Sequence, residues 1–430
     1  MSKEKKKLRW LRLDNAAKIY PAARRRNWSN VYRESATLFE EVDTEVLRSA
    51  LDVTVKRFPS IAARLRRGAF WYYLQEVEEA PPIHEEYSYP LVYMSDEEMK
   101  KCALRVIVYQ RRIAVEFFHA LTDGNGALIF LKNLVAEYLE QKHGISIPFE
   151  HGILDRREEP NEEELEDCFP KNAGAVCASR RDTNAWHMYG TPQADGFLHM
   201  TCFRIPVKEA LDMAHRYGST LTVFMSAAIM MALVNLQNEK NPDVRKQKRI
   251  KLLIPINLRQ LYPSKTLRNF AMYTVPEVDP RLGEYSFEEI CKIVKHKMGL
   301  EFTAKHMSRV IATNVNDEKN PVLRLVPLPI KNAVMKAIFD SVGEKKSCLT
   351  LSNLGQIKLP EIMIPYIERF DFILGVQAAA PYNCGMLSFG DTVYINFIRN
   401  IKEPELERHF YAVLSELGLP LTVESNRNER

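Results

Sequence analysis

A chain of 430 residues is longer than one hydrophobic core usually fills, so two domains are the natural expectation. With 46% apolar and 27% charged residues, it reads as a folded globular protein rather than a disordered or fibrous one. A net charge of +5 over 60 basic and 55 acidic residues is too modest to call for a nucleic-acid partner.

The opening residues Met1 to Lys7 are basic, but Leu-Arg-Trp-Leu-Arg-Leu follows in place of the apolar region of an export signal. A cytoplasmic location is therefore expected. Asp43 to Arg57 reads as an amphipathic helix with Val42, Val46, Leu47, Leu51 and Val55 on one face, stopped by Pro59. Alternation over Leu104–Gln110 and again over Arg112–Phe118 predicts a hairpin that ends at His119. Apolar residues at helical spacing over Ala127–Leu139 predict a helix behind it, which places His119 in a strand-to-helix turn. These elements make up an expected first domain, residues 1–155.

From about Asp155 the composition turns acidic and apolar-poor, then rich in Gly, Pro and Asn, so residues 156–196 read as a linker. The second domain is expected over 197–430. Its apolar run Thr222–Val234 is 13 residues long, short of the roughly 20 a bilayer requires. It reads as a buried core helix, and no transmembrane segment is expected. A strand over Ile250–Ile256, an amphipathic helix over Phe287–Lys297 and strands over Leu349–Ser352 and Val393–Arg399 follow. Both halves thus read as α/β, with no internal repeat evident.

Seven scattered cysteines contain no C-x-x-C pair, and no His/Asp/Glu cluster has the spacing of a helical metal site, so no metal is expected. The basic run Arg245–Lys251 reads either as a solvated loop before a strand or as a site for the phosphates of a cofactor or an acidic carrier. Val322–Phe339 is apolar with basic punctuation. It reads as a helix packed near an interdomain tunnel, or as a surface that rests on a membrane or covers a lipid-like substrate.

The residues most suited to chemistry are His119, Asp123 and Gly124 in Phe-Phe-His-Ala-Leu-Thr-Asp-Gly-Asn-Gly. A neutral imidazole, with an unperturbed pKa of about 6.5, can take a proton from a hydroxyl or amine; the alternative reading of a lone histidine at a strand end is a core residue whose hydrogen bonds are simply satisfied. Asp123 has two readings, an ion-paired carboxylate that fixes the turn or a solvated cap of the following helix.

The pattern H-x-x-x-D-G resembles the signature of the chloramphenicol acetyltransferase-like superfamily, which includes condensation domains and bacterial alcohol acetyltransferases. Ile254-Pro255-Ile256-Asn257-Leu258-Arg259, Leu267-Arg268-Asn269-Phe270 and Leu351-Ser352-Asn353-Leu354-Gly355 are similar to the same superfamily. So are the opening Leu13–Pro21, closest to bacterial alcohol acetyltransferases, and the segment Arg57–Leu65. The D-F-G-W-G segment of plant-type members is missing, the nearest stretch being Leu387-Ser388-Phe389-Gly390-Asp391.

The resemblance implies two α/β sandwich domains with mixed sheets and an active site at their interface. It implies acyl transfer from acyl-CoA to an alcohol hydroxyl, with His119 as general base and no acyl-enzyme. Asp123 would pair with an arginine, Arg64 being the first candidate and Arg259 the second. Ser352, with Asn353 second, would donate to the oxyanion, unless that segment is only a turn closing a strand. Asn257 would line a substrate channel or tie the halves together. The implied co-substrate is acyl-CoA or another acyl thioester, with no tightly bound cofactor, and the expected state is a monomer. The rival readings are condensation on carrier-protein thioesters and a non-catalytic binding member of the same fold.

Overall fold

The computed structural model describes residues 8–25, 30–177, 183–193, 196–319, 324–339, 344–377 and 380–426. The basic residues 1–7 and the start of the Val322 segment lie outside them. In chain order the first part contains β1 (Trp10–Arg12), α1 (Ile19–Ala23), β2 (Val31–Leu38), α2 (Thr44–Arg57), β3 (Ala63–Arg67), β4 (Tyr72–Glu76) and β5 (Ile83–Glu85). It continues with α3 (Asp96–Lys101), β6 (Leu104–Tyr109), β7 (Arg112–Phe118) and α4 (Gly124–His143). The second part opens with β8 (His199–Pro206), α5 (Val207–Arg216), α6 (Leu221–Lys240), β9 (Ile250–Asn257), β10 (Ala271–Thr274) and β11 (Glu277–Val278). Three helices follow, α7 (Phe287–Glu301), α8 (Ala304–Lys319) and α9 (Leu328–Ile338). The chain closes with β12 (Leu349–Gln356), β13 (Ile367–Ile373), β14 (Tyr382–Phe389), β15 (Thr392–Arg399), α10 (Glu405–Glu416) and β16 (Thr422–Ser425).

Local chemistry accounts for the elements that place the site. Asp43 caps α2 by accepting from the backbone N–H groups of Glu45 and Val46, and the helix ends before Pro59. Strands β6 and β7 pair antiparallel from Leu104↔Phe117 to Tyr109↔Arg112, so the hairpin forms as its alternation predicts. The chain then leaves the sheet at His119, and α4 starts five residues later, capped by Asp123. Helix α6 is apolar on nearly all sides. Its 20 residues are long and apolar enough by composition to cross a membrane, but it is largely buried and packs against α7, α10 and β9. A helix of this kind is stable only where every face has a partner.

Two mixed sheets carry the architecture. One runs β13-β2-β7-β6-β5 and the other β10-β9-β12-β14-β15-β8-β16, with β11 also on β9. In the second, β12 runs parallel to both β9 and β14, and the other neighbours along the path are antiparallel. The first sheet draws its edge strand from far along the chain, since β13 pairs antiparallel with β2 through Phe370↔Ala36 and Phe372↔Glu34. A hydrophobic core accordingly joins residues 13–153 to residues of the 357–398 region. A second cluster surrounds α6.

The acidic stretch after Asp155 is packed rather than loose. Arg57 holds the Glu164 carboxylate through both terminal nitrogens, the carbonyl of Glu164 accepts from Leu267 N at 2.9 Å, and Phe169 is buried edge-on to Phe270. The buried Arg57 charge requires a carboxylate partner, which a composition-based reading of a linker misses.

The sheets approach closely at Gly385 on β14, where a Cβ would lie 2.2 Å from the carbonyl oxygen of Phe372 on β13. Backbone cannot move aside as a side chain can. Gly385→Ala is therefore expected to destabilise the protein by about 1–3 kcal/mol. Gly299→Ala, in α7 with nothing within 4 Å of its missing Cβ, is expected to stabilise by about 0.5–1 kcal/mol. Urea denaturation of the two variants measures the contrast.

Candidate active site

A cavity of about 410 Å³ lies between the two parts of the chain and is lined by His119, Asp123, Gly124, Asn257, Asn269, Ser352 and Asn353 among others. Strand β7 delivers His119, α4 delivers Asp123 and Gly124, the end of β9 delivers Asn257, and β12 delivers Ser352 and Asn353. Residues scattered over more than 230 positions thus face one space.

Asp123 is the best-connected group of the site: it is ion-paired and caps α4 at once, but it is buried rather than solvated. One carboxylate oxygen caps α4 by accepting from Gly126 N at 3.1 Å. The other accepts from Arg259 Nη1 and from Phe270 N, both at 2.8 Å. Arg259 is held in turn by the carbonyls of Thr266 and Arg268 and by Asn257 Oδ1. Arg64, the first candidate partner, is not at the site. It sits on β3 and donates to Gln75 Oε1 across the small β1-β4-β3 sheet, pairing as strand neighbours do.

His119 is held by a residue that its own motif does not contain. Its Nδ1 lies 3.1 Å from Asn269 Oδ1. The Asn269 Nδ2 group points to two acceptors, the His119 carbonyl at 3.1 Å and Asp14 Oδ2 at 3.2 Å, which fixes the orientation of the amide. Asn269 Oδ1 must then accept from Nδ1–H, so Nε2 carries the lone pair. Burial lowers the imidazole pKa below its usual value, and the nearby Asp123 only partly opposes this. Tyr20 stacks on the ring with centroids 4.4 Å apart and planes 18° apart. Tyr32 leans on it at 5.0 Å and donates its hydroxyl to the Thr122 carbonyl.

The Asp14 carboxylate is buried. It also accepts from the backbone N–H groups of Ala17 and Asn269 and lies 3.7 Å from Arg268. Asp14, Asn269 and the two tyrosines escape motif reading because each lies far from His119 in sequence. The Leu13–Pro21 and Leu267–Phe270 segments were visible only as resemblances.

Ser352 and Asn353 lie where β12 bulges, with Gly355 at φ 77°. Asn353 Oδ1 accepts from Gly355 N at 2.8 Å and its Nδ2 donates to Thr222 Oγ1 at 2.9 Å, so one amide hydrogen remains. The Ser352 hydroxyl has no hydrogen-bond partner among the described residues and lines the cavity. Asn257 lines the cavity and accepts from the N–H and Nη1 of Arg259 within its own segment, and so among the described residues it is tied to the first part of the chain only through Arg259.

The glycine that the turn needs is Gly126 rather than Gly124. A Cβ on Gly126 would lie 2.4 Å from the Leu267 carbonyl oxygen, whereas one on Gly124 would meet chiefly the mobile end of Leu354. Beside Gly124, Glu34 is buried with neither carboxylate oxygen hydrogen-bonded, and burial together with Asp123 pushes its pKa well up. It is held as a neutral acid. No group of three or more His, Cys, Asp or Glu side chains is placed to hold a metal among the described residues.

No family model and no curated protein sequence matches the chain. Solved structures do match. TRI3 trichothecene 15-O-acetyltransferase from Fusarium sporotrichioides is 12% identical with a TM-score of 0.59, the match covering 95% of this chain and 94% of that one. F. sporotrichioides TRI101, in complex with coenzyme A and T-2, is 10% identical with a TM-score of 0.61, covering 96% and 99%. The first condensation domain of the CDA synthetase is 11% identical with a TM-score of 0.59, covering 97% and 99%. The chain has the mixed α/β, two-domain fold of the chloramphenicol acetyltransferase-like and condensation proteins over nearly its whole length.

Because Asp123 is buried and Arg259 is its charge partner, Arg259→Ala is expected to cost about 3–5 kcal/mol of stability. Arg64→Ala, which removes a hydrogen bond at the edge of a small sheet, is expected to cost about 1 kcal/mol. Thermal melts of the two variants report which arginine holds the turn.

Proposed function

We propose that the chain is an acyltransferase that moves an acyl group from acyl-CoA directly to an alcohol hydroxyl. The observation that carries this reading is a neutral histidine, its proton held on Nδ1, lining a cavity between the two halves of an acyltransferase-type fold. The known proteins of this fold include one in complex with coenzyme A, which supports the choice of donor.

In the proposed reaction His119 Nε2 takes the proton of the acceptor hydroxyl as its oxygen attacks the thioester carbonyl. General-base assistance of this kind contributes about 10²–10⁴-fold, and the rest comes from holding both substrates in place. The new C–O bond makes a tetrahedral oxyanion. The Ser352 hydroxyl is the donor assigned to it, and the second Asn353 amide hydrogen supports it. Collapse breaks the C–S bond, and the leaving thiolate takes the proton from the imidazolium. Asp123 and Arg259 hold the turn and touch no reacting atom.

His119→Ala is expected to abolish ester formation while leaving the melting temperature near that of the wild type. Ser352→Ala is expected to lower kcat about 10²–10³-fold. Free thiol release from acetyl-CoA with a panel of alcohols measures both, and normal turnover by the His119 variant would remove the proposal. An acylated carrier protein offered in parallel tests the condensation alternative, which gains if only the carrier is used.

The lowered pKa of His119 sets the sign of the pH dependence. The imidazole protonates as pH falls through that pKa, so kcat/KM is expected to be full above it and to decline on the acid side, with an apparent pKa under the ordinary 6.5. Asn269→Ala removes the acceptor of Nδ1–H, a bond that favours the charged ring, and is expected to move that limb further downward. A pH–rate profile of wild type and variant reads the shift, which a purely structural role for Asn269 would not produce.

A further inference from the structure

Helix α9 is amphipathic with its apolar face turned to solvent. The side that meets the protein carries buried Leu328 together with Lys331 and Asn332. Lys331, only 6% exposed, donates to the carbonyls of Phe70 and Arg324 at 3.1 Å and lies 3.6 Å from the Trp71 ring centroid. Asn332 donates to the Tyr72 hydroxyl at 2.9 Å. The opposite face carries Ile330, 56% exposed, and Val334, 50% exposed, with exposed Ala333 and Ala337 at the same helical spacing. Leu325, 73% exposed, and Phe70, 44% exposed at the β3–β4 turn, extend the patch. Single apolar residues on a surface are ordinary, but a contiguous stripe of them marks a contact surface.

The charge around the stripe names the partner. From Arg324 to Phe339 the chain has no acidic residue, and its exposed cations are Arg324 and Lys336, Lys331 being buried against Trp71. Glu318, whose carbonyl accepts from Arg324 Nε, has its carboxylate taken up by Lys18 and Asn15. A second copy of the same face would bring these cations together, which disfavours self-association. An anionic lipid surface asks for no fixed hydrogen-bond pattern, only an apolar stripe flanked by cations. The stripe also stands next to the cavity. Phe339, the residue after α9, lines it, as do Ile19 and Tyr20 of α1, the helix packed against α9.

We propose that the exposed face of α9 docks the protein on an anionic lipid surface, with the cavity beside the contact so that an apolar acceptor enters from the bilayer. The identity of that cargo rests on the acyl-transfer reading; the docking does not.

The test is flotation of the purified full-length chain with phosphatidylcholine vesicles, with and without phosphatidylglycerol. Binding is expected to the anionic vesicles, weakened by salt. The Ile330→Asp/Val334→Asp double variant is expected to lose about tenfold or more of that binding. Arg324→Gln and Lys336→Gln are each expected to weaken it about fivefold. Unchanged circular dichroism and unchanged turnover of a short water-soluble alcohol show that the double variant is folded. His119→Ala is expected to float like the wild type, so failure of the acyl-transfer reading leaves this one standing. Wild type that stays unbound with both vesicles, a double variant that floats equally well, or a dimer dissolved by Ile330→Asp would overturn the proposal.

Discussion

The Asp123 carboxylate is the constraint on which the rest of the site depends. Its two oxygens serve different parts of the chain, one capping α4 and the other receiving Arg259 and the backbone of Phe270. The strand-to-helix turn that carries His119 is thereby fastened to the segment after β9. Thr122 adds a second fastening through the Leu267 carbonyl at 2.6 Å, and the bare Cα of Gly126 lets that carbonyl approach. A buried carboxylate without these partners would cost several kcal/mol, so the turn depends on the second part of the chain for its stability.

Around that clamp the charges are balanced in pairs, Asp123 with Arg259 and Asp14 with Arg268. Asp14 reaches the histidine only through the amide of Asn269, so the ring feels a dipole where a carboxylate would have imposed a full charge. Burial therefore decides the protonation state of His119. Tyr20 and Tyr32, themselves kept protonated by burial and by the same acids, wall the ring without competing for its proton.

The parts legible in the sequence were those whose signal is local. The hairpin Leu104–Phe118 shows in alternation, α2 in its apolar face and its stop at Pro59, and the reactive turn in six consecutive residues. What stayed hidden depends on distance in sequence. Strand β13 joins the first sheet from the far end of the chain, and nothing in Ile367–Ile373 says which sheet it completes. The choice between Arg64 and Arg259 could not be made from charge alone; it is settled by β9 ending beside the cavity and β3 ending elsewhere. Asn269 was likewise out of reach, because a clamp on a histidine 150 positions away has no spacing to read.

The chemistry of the lining bears on whether an acyl-enzyme is needed. None of the cysteines lines the cavity. Cys202, Cys348 and Cys384 are buried, and burial pushes the first two up to about 12 and the third well above its usual value, so they stay as thiols. The proposed direct transfer, in which donor and acceptor are present together, calls on no thiol nucleophile. That places the catalytic demand on positioning, since two reactants held in register gain far more than a base of lowered pKa can supply alone. The paired charges around Asp123 and Asp14 fasten the two parts of the chain to each other beside that cavity.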